Sequence, residues 1–179
     1  MPVPVVEADS SLTRAQAGDA AAFEPIVREH EAMVFSLAYG FLGDAAAAED
    51  LAQDVFLELF RRLSRIESPA HLTFWLRRVT THRCIDRLRG RNAKEQTVAA
   101  LPDRPAPEDG RDILLEERLR RLVGELPPHA RAVMLLRYQE DLDPSEIAQV
   151  LDMPVNTVKS HLRRSVDALR LKLGGKEPA

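Results

Sequence analysis

The sequence predicts an all-α protein made of two small helical domains joined by a flexible linker. Three observations predict this. Apolar residues recur at three- and four-residue spacing in both halves, and strand alternation occurs in neither. The stretch Leu101 to Asp112, LPDRPAPEDGRD, has three prolines, a glycine and almost nothing to bury, which marks a linker. Acids and prolines stand at the heads of several apolar stripes, where helices start. The expected boundaries are a disordered tail over 1–10, a first helical unit over 11–94, a linker over 95–112 and a second unit over 113–175.

The first helix is expected from near Ala21 to Phe41, with Ile26, Val27, Met33, Val34, Leu37, Ala38 and Phe41 as its apolar set. Pro25 belongs in its first turns, because deeper in the helix it would cost about 3 kcal/mol. Asp44 can cap a second helix reaching about Leu63, whose stripe is Ala48, Leu51, Ala52, Val55, Leu59 and Leu63. Its opposite face carries Asp50, Gln53, Asp54, Leu57 and Arg61. A leucine among acids there points to a protein contact, although single exposed leucines are ordinary.

After a loop around Glu67-Ser68-Pro69-Ala70, a third helix is expected from about Leu72 to Arg89. Leu72, Trp75, Leu76 and Val79 share one face, whereas Cys84, Ile85 and Leu88 lie on another. A helix that rotates its apolar side while carrying arginines most of the way round is expected to leave one face outside the core, against solvent or a polyanion.

Beyond the linker, Ile113 to Val123 reads as a helix, and Pro127-Pro128 opens another to Tyr138. Asp143-Pro144-Ser145-Glu146 combines an N-cap acid, a proline at the first helical position and the glutamate of a capping box. A short helix to Leu151, a turn at Asp152-Met153-Pro154 and a last stripe of Val158, Leu162, Val166, Leu169 and Leu173 complete a helix-turn-helix pattern. Ala148 is the small residue where its helices cross. Asp152 stands where glycine is common, and aspartate tolerates left-handed backbone better than most residues. With Val158 inward, Asn156, Lys159, Ser160, Arg163 and Arg164 project from the other side, about 170° away. Arginine and lysine donate to guanine edges or phosphates, and asparagine can read adenine.

Among the 179 residues, 25 Lys+Arg against 28 Asp+Glu leave a net charge of −3, which evenly spread would disfavour nucleic acid. The charges are segregated instead. Gly43 to Glu58 carries five acids and no Lys or Arg, and Arg61 to Lys94 carries ten of these bases against Glu67 and Asp86. Glu140 to Asp152 is acidic again, and Lys159 to Lys172 basic, a pattern of partner surfaces. The single cysteine, Cys84, can form no internal disulfide or zinc ribbon. No apolar run has membrane-span length and no signal peptide opens the chain, so a cytoplasmic protein without membrane insertion is expected.

The residues from about Ser11 to Leu173 resemble the extracytoplasmic-function (ECF) subfamily of bacterial RNA polymerase sigma factors, within the sigma-70 family. The resemblance rests on four motifs in order. Ala15-Gln16-Ala17-Gly18-Asp19 followed by Ala22-Phe23 is similar to the family's opening. Ala48-Glu49-Asp50-Leu51-Ala52-Gln53-Asp54-Val55-Phe56 resembles the region two motif, Phe74 to Val79 through Cys84 to Arg89 the promoter-melting helix, and Leu126-Pro127 with Ser145 to Ala148 and Thr157 to Ser160 region four. The resemblance implies a two-unit protein, region two over 11–94 and region four over 113–175, that directs core RNA polymerase to promoters.

By that resemblance, Asp50, Gln53, Asp54 and Leu57 would dock on the beta-prime coiled coil. Arg77, Arg78, His82, Arg83, Arg87, Arg89 and Arg91 would read and melt the −10 element. Asn156, Thr157, Lys159, Ser160, His161, Arg163 and Arg164 would read the −35 element. The segment Glu67 to Thr73 would hold a flipped-out base, with Trp75 stacking there or, as its stripe suggests, sitting in the core. The beta flap, promoter DNA and an anti-sigma factor are further implied partners, no cofactor is expected, and catalysis would belong to the polymerase. His82 stands where the family usually has asparagine, and His161 where it usually has arginine. The roughly 20 residues from Ala93 to Asp112 could reach roughly 70 Å when extended, about two turns of DNA.

Two rival readings use other residues. Thr157 to His161 also resembles the final helix of LuxR-type regulators, whose upstream sensing domains usually contain strands. His82, Cys84 and Asp86 could suggest an enzyme, yet on a helix Cys84 points about 200° from His82, and no phosphate loop, HExxH or GxSxG occurs.

Overall fold

The computed structural model describes the backbone of residues 5–94 and 112–174, and the side chains of 11–90 and 115–174. Eight α-helices carry the described residues, with no strand among them: α1 Val5–Gln16, α2 Phe23–Leu42, α3 Ala45–Arg62, α4 Pro69–Lys94, α5 Asp112–Gly124, α6 Pro128–Tyr138, α7 Pro144–Leu151 and α8 Val155–Gly174. Single 3-10 turns at Ala20–Ala22 and Leu63–Arg65 link α1 to α2 and follow α3. None of these helices is long and apolar enough to cross a membrane. Apart from Asp112, which opens α5, the expected linker lies outside the described residues.

Caps set the element borders. Gly43 ends α2 in left-handed backbone (φ 68°), its N–H reaching the Tyr39 carbonyl, and the next residue, Asp44, accepts from the Ala47 N–H at 2.7 Å to start α3. Asp143 and Glu146 close a full capping box on α7, and Asp152 ends it in left-handed backbone at φ 55°. An aspartate thus fills the position where glycine is common in this turn.

Two boundaries differ from the sequence expectation. Residues 5–10, expected as tail, are the first part of α1, whose later residue Leu12 is buried in the core. Pro69, placed in a loop, is the first residue of α4: the Ser68 hydroxyl accepts from the His71 N–H at 3.1 Å and its carbonyl from the Leu72 N–H at 2.9 Å. Serine as cap with proline behind it is a regular helix start. The segment expected as a base-holding loop over Glu67 to Thr73 is therefore helical from Pro69 onward.

The α2 and α3 stripes pack on each other, burying Ile26, Val34, Leu37, Ala38 and Phe41 against Ala48, Leu51, Val55 and Leu59. Helix α4 runs through the middle of the molecule. It packs on α1, α2 and α3 on one side and on α6 and α7 on another. Its buried residues, Leu72, Leu76, Thr80, Thr81, Cys84 and Ile85, accordingly lie around most of its circumference. The expected free face of this helix is thus largely covered, by the C-terminal unit rather than by solvent.

Candidate functional site

The face of α3 turned away from the core presents Asp50, Gln53, Asp54 and Leu57, all exposed, with Leu57 at 56%. Beside it lies a groove of about 820 Å³ between α2 and α3, lined by Phe23, Val27, Phe35, Phe56, Leu57 and Phe60 and rimmed by Glu31, Glu49 and Gln53. Phe60 is 53% exposed and meets Phe23 edge to face at 5.2 Å. An apolar groove with an acidic rim suits an amphipathic, basic element. The sequence reading took Leu57 alone. Phe56 and Phe60, one turn apart, lie off the α3 stripe, and that surplus of aromatics was the available signal.

The arginines of α4 divide by partner. Arg77 donates from Nε to Glu140 at 2.9 Å, and Arg78 donates to the Gln149 carbonyl at 2.9 Å with Asp152 at 3.7 Å. Arg89 lies 3.4 Å from His129 Nδ1. These partners all belong to the C-terminal unit. Arg83 and Arg87 instead tie α4 to the C-terminal part and the head of α3: Arg83 forks onto Glu58, and Arg87 donates to the Ala47 carbonyl at 2.9 Å. They therefore have a packing role whatever else they touch. His82 Nδ1 donates to the Arg78 carbonyl at 2.8 Å, one turn back on the same helix. Arg91 lies within α4 but outside the described side chains. Trp75 is half-buried against the core, in line with its shared stripe with Leu72 and Val79.

Helix α8 turns Val158 fully into the core and leaves Asn156, Lys159, Ser160, Arg163 and Arg164 exposed, with Thr157 and His161 half-buried. Arg164 reaches back to the Ser160 carbonyl at 3.2 Å. The hydrogen-bonding and cationic side chains therefore stand together at the N-terminal end of a helix whose entry is fixed by the capped α7 and the Asp152 turn. This is the arrangement by which a recognition helix enters a major groove.

The cysteine region offers no reactive centre. Burial pushes the Cys84 thiol up to about 12, so its nucleophilic thiolate is suppressed. No group of three or more His, Cys, Asp or Glu side chains among the described residues could hold a metal ion. Desolvation lowers His129, with Arg89 next in effect and His161 and His82 adding to it. Burial likewise lowers His161, beside Arg164. Arg89 and His129 thus meet at the junction of the two units.

Two family models match this chain: Sigma-70 region 2 over residues 26–94, and Sigma-70 region 4 over residues 116–169. The ECF RNA polymerase sigma factor SigW of Bacillus subtilis is 30% identical, over 90% of this chain and 94% of its own. The RNA polymerase sigma-H factor of Pseudomonas aeruginosa is also 30% identical, over 91% and 92%. In fold, the chain is similar to the sigma factor RpoE of Bartonella quintana, solved with the anti-sigma factor NepR, at a TM-score of 0.71 and 18% identity, covering 87% of this chain and 98% of that one. It is also similar to CnrH, solved with the cytosolic domain of CnrY, at 0.69 and 22%, covering 95% and 99%. The matches span both halves of the chain, which a regulator sharing only its last helices with this sequence does not account for. A capped helix-turn-helix behind a helical bundle, matched region by region in this way, makes the chain a member of the ECF RNA polymerase sigma factors.

Proposed function

We propose that this sigma factor uses three separate surfaces: the α3 face for core RNA polymerase, α4 for the −10 element and α8 for the −35 element. Residues 11–94 form the polymerase-binding and melting unit in this reading, and 113–175 the −35 unit. Asp50, Gln53, Asp54 and Leu57, together with the groove edge at Phe60, seat a basic, amphipathic polymerase element, the role the family assigns to the beta-prime coiled coil. The C-terminal unit meets the beta flap. Arg77, Arg78 and Arg89 supply cations to melted DNA, with Arg91 proposed for the same role, while His82, Arg83 and Arg87 shape the helix that carries them. The chain performs no catalysis of its own and works in the cytoplasm, where polymerase and DNA are. An anti-sigma protein is the expected antagonist, and the exposed aromatics of the α2–α3 groove are a natural target for it.

The observation that carries the reading is α8: Val158 is buried at 0% exposure while Lys159 and Arg163, on the other side, are open to solvent. Lys159→Ala with Arg163→Ala is expected to cut promoter-specific transcription by reconstituted holoenzyme while core binding is unchanged. A bidentate base contact is worth about 1–3 kcal/mol, so the loss is about fivefold or more. Unchanged promoter selectivity would remove α8 from the reading.

A further inference from the structure

The motif Ala15-Gln16-Ala17-Gly18-Asp19 takes no part in the three surfaces above, yet the backbone there is closely built. Gly18 has left-handed backbone at φ 97°, which a residue with a Cβ rarely adopts, and it ends α1 in a Schellman motif. Its N–H reaches the Ala15 carbonyl at 3.1 Å, and the Asp19 N–H reaches the Arg14 carbonyl at 3.1 Å. Asp19 then pairs with Arg14 at 2.6 Å and accepts from the Ala21 N–H at 3.0 Å. Helix α1 is anchored in the core by Leu12 and stopped so that Gln16, one turn on, is its last residue.

From that place Gln16 Nε2 donates to two carbonyls far along the chain, Leu63 at 3.0 Å and Ile66 at 2.6 Å. A side-chain amide has two N–H donors, so both are spent on these groups. Leu63 opens the 3-10 turn after α3 and Ile66 closes it, its own N–H returning to the Leu63 carbonyl at 3.1 Å. Both side chains are buried in the core. Between α3 and α4 no long helical ladder satisfies the backbone, and Gln16 supplies the tie instead. The next residue, Glu67, donates its N–H to His71 Nδ1 at 3.2 Å, across the cap of α4. In the neutral ring that bond leaves the proton on Nε2, so His71 carries an N–H donor at the far end of an aromatic ring. Such a ring can stack on an unpaired base and donate to its edge.

We infer that Gln16 is a positioning residue for −10 recognition: by holding the Leu63 and Ile66 carbonyls it sets the head of α4, and with it the place where His71 Nε2–H meets an acceptor on an unpaired base. This rests on the reading of α4 as the helix that takes the −10 element. The arginines of α4 cannot supply this step through phosphates, because phosphate contacts place the strand and carry no sequence. Discrimination between bases needs a donor held to within about 0.5 Å, and a donor on the first turn of a helix is only as well placed as the start of that helix. The tie comes from a residue 47 positions before Leu63 and 50 before Ile66, so the opening motif of the chain acts on the sequence read by α4 without touching DNA.

The test reconstitutes holoenzyme from core RNA polymerase and the full chain, offers it single-stranded oligonucleotides with a randomised tract, and sequences those retained above core polymerase alone. Thermal unfolding of each free chain runs alongside. His71→Ala identifies the position that His71 reads, as the one where a preference of about fivefold or more is lost. Gln16→Leu, close in size but without a donor, is expected to flatten that same position while core binding is unchanged. Gln16→Lys, whose ammonium can donate to both carbonyls and whose helix propensity is similar, is expected to keep the preference. Joining Gln16→Leu to His71→Ala should cost no more selectivity than His71→Ala alone, because the two act through one contact. If Gln16→Leu lowers the thermal midpoint and leaves the selected sequences as in wild type, or flattens every position evenly, Gln16 is a structural tie only and the inference falls. The same holds if His71→Ala changes no position while Arg77→Ala with Arg78→Ala lowers retention of all sequences. If that double arginine variant leaves retention unchanged as well, the reading of α4 itself fails, and the role of Gln16 with it.

Discussion

Asp143 has a larger effect than its exposure suggests, because one carboxylate satisfies the Ser145 and Glu146 N–H groups at the head of a helix only eight residues long. A helix this short has little stability of its own, and the cap fixes both its start and the angle at which α8 follows. Asp143→Ala is expected to cost about 1 kcal/mol, read as a lower urea midpoint with an unchanged slope. Promoter binding through α8 should weaken along with it. This cap was legible in the sequence because Asp-Pro-Ser-Glu carries all its parts within four residues. Ser68-Pro69 carries the same chemistry without the glutamate, and the proline was read there as a turn rather than as the first helical residue. Cys84 is the opposite case: no neighbour in sequence announces its burial, and only the packing of α4 makes it inert.

Helices α3 and α4 show how far periodicity carries. The α3 stripe is clean, so its core face and its outer face were both readable, and the two should separate in experiment. Leu57→Ala, at a position more than half exposed, is expected to leave the thermal midpoint nearly unchanged and to weaken binding to core polymerase. Leu76→Ala, at a fully buried position on α4, is expected to lower stability by about 2–5 kcal/mol through loss of packing and a residual cavity. Equal effects of the two on stability would contradict the assignment of faces. On α4 the apolar positions rotate around the axis. The sequence reading inferred a free face from this, whereas a helix packed by neighbours on two sides gives the same pattern. The groove beside α3 was missed for a related reason, since its wall is shared with Phe23 and Phe35 of α2.

At the scale of the molecule, the pairing of the two units was not readable at all. Arg77 and Glu140 are 63 residues apart, and an ion pair between distant segments leaves no periodic trace in either. What could be read was charge segregation, and the structure shows that acidic and basic blocks of the chain also meet each other. That makes the junction sensitive to protonation. Arg89 of α4 lies 3.4 Å from His129 of α6, and burial followed by Arg89, with smaller effects of His161 and His82, holds the His129 pKa below the ordinary 6.5. His161 is lowered by burial and Arg164. A histidine whose folded value lies below its unfolded value contributes stability that is present above about pH 6.5 and is lost as pH falls through the folded value. Protonation there adds positive charge beside Arg89 in a partly dry junction. Thermal unfolding of the free chain is therefore expected to move to lower temperature as pH drops below about 6.5, ahead of the range in which ordinary carboxylates titrate. His129→Gln, which cannot take up the proton, should flatten that decline. A midpoint indifferent to pH in this window, or a decline that His129→Gln leaves intact, would mean that the histidines do not couple the two units.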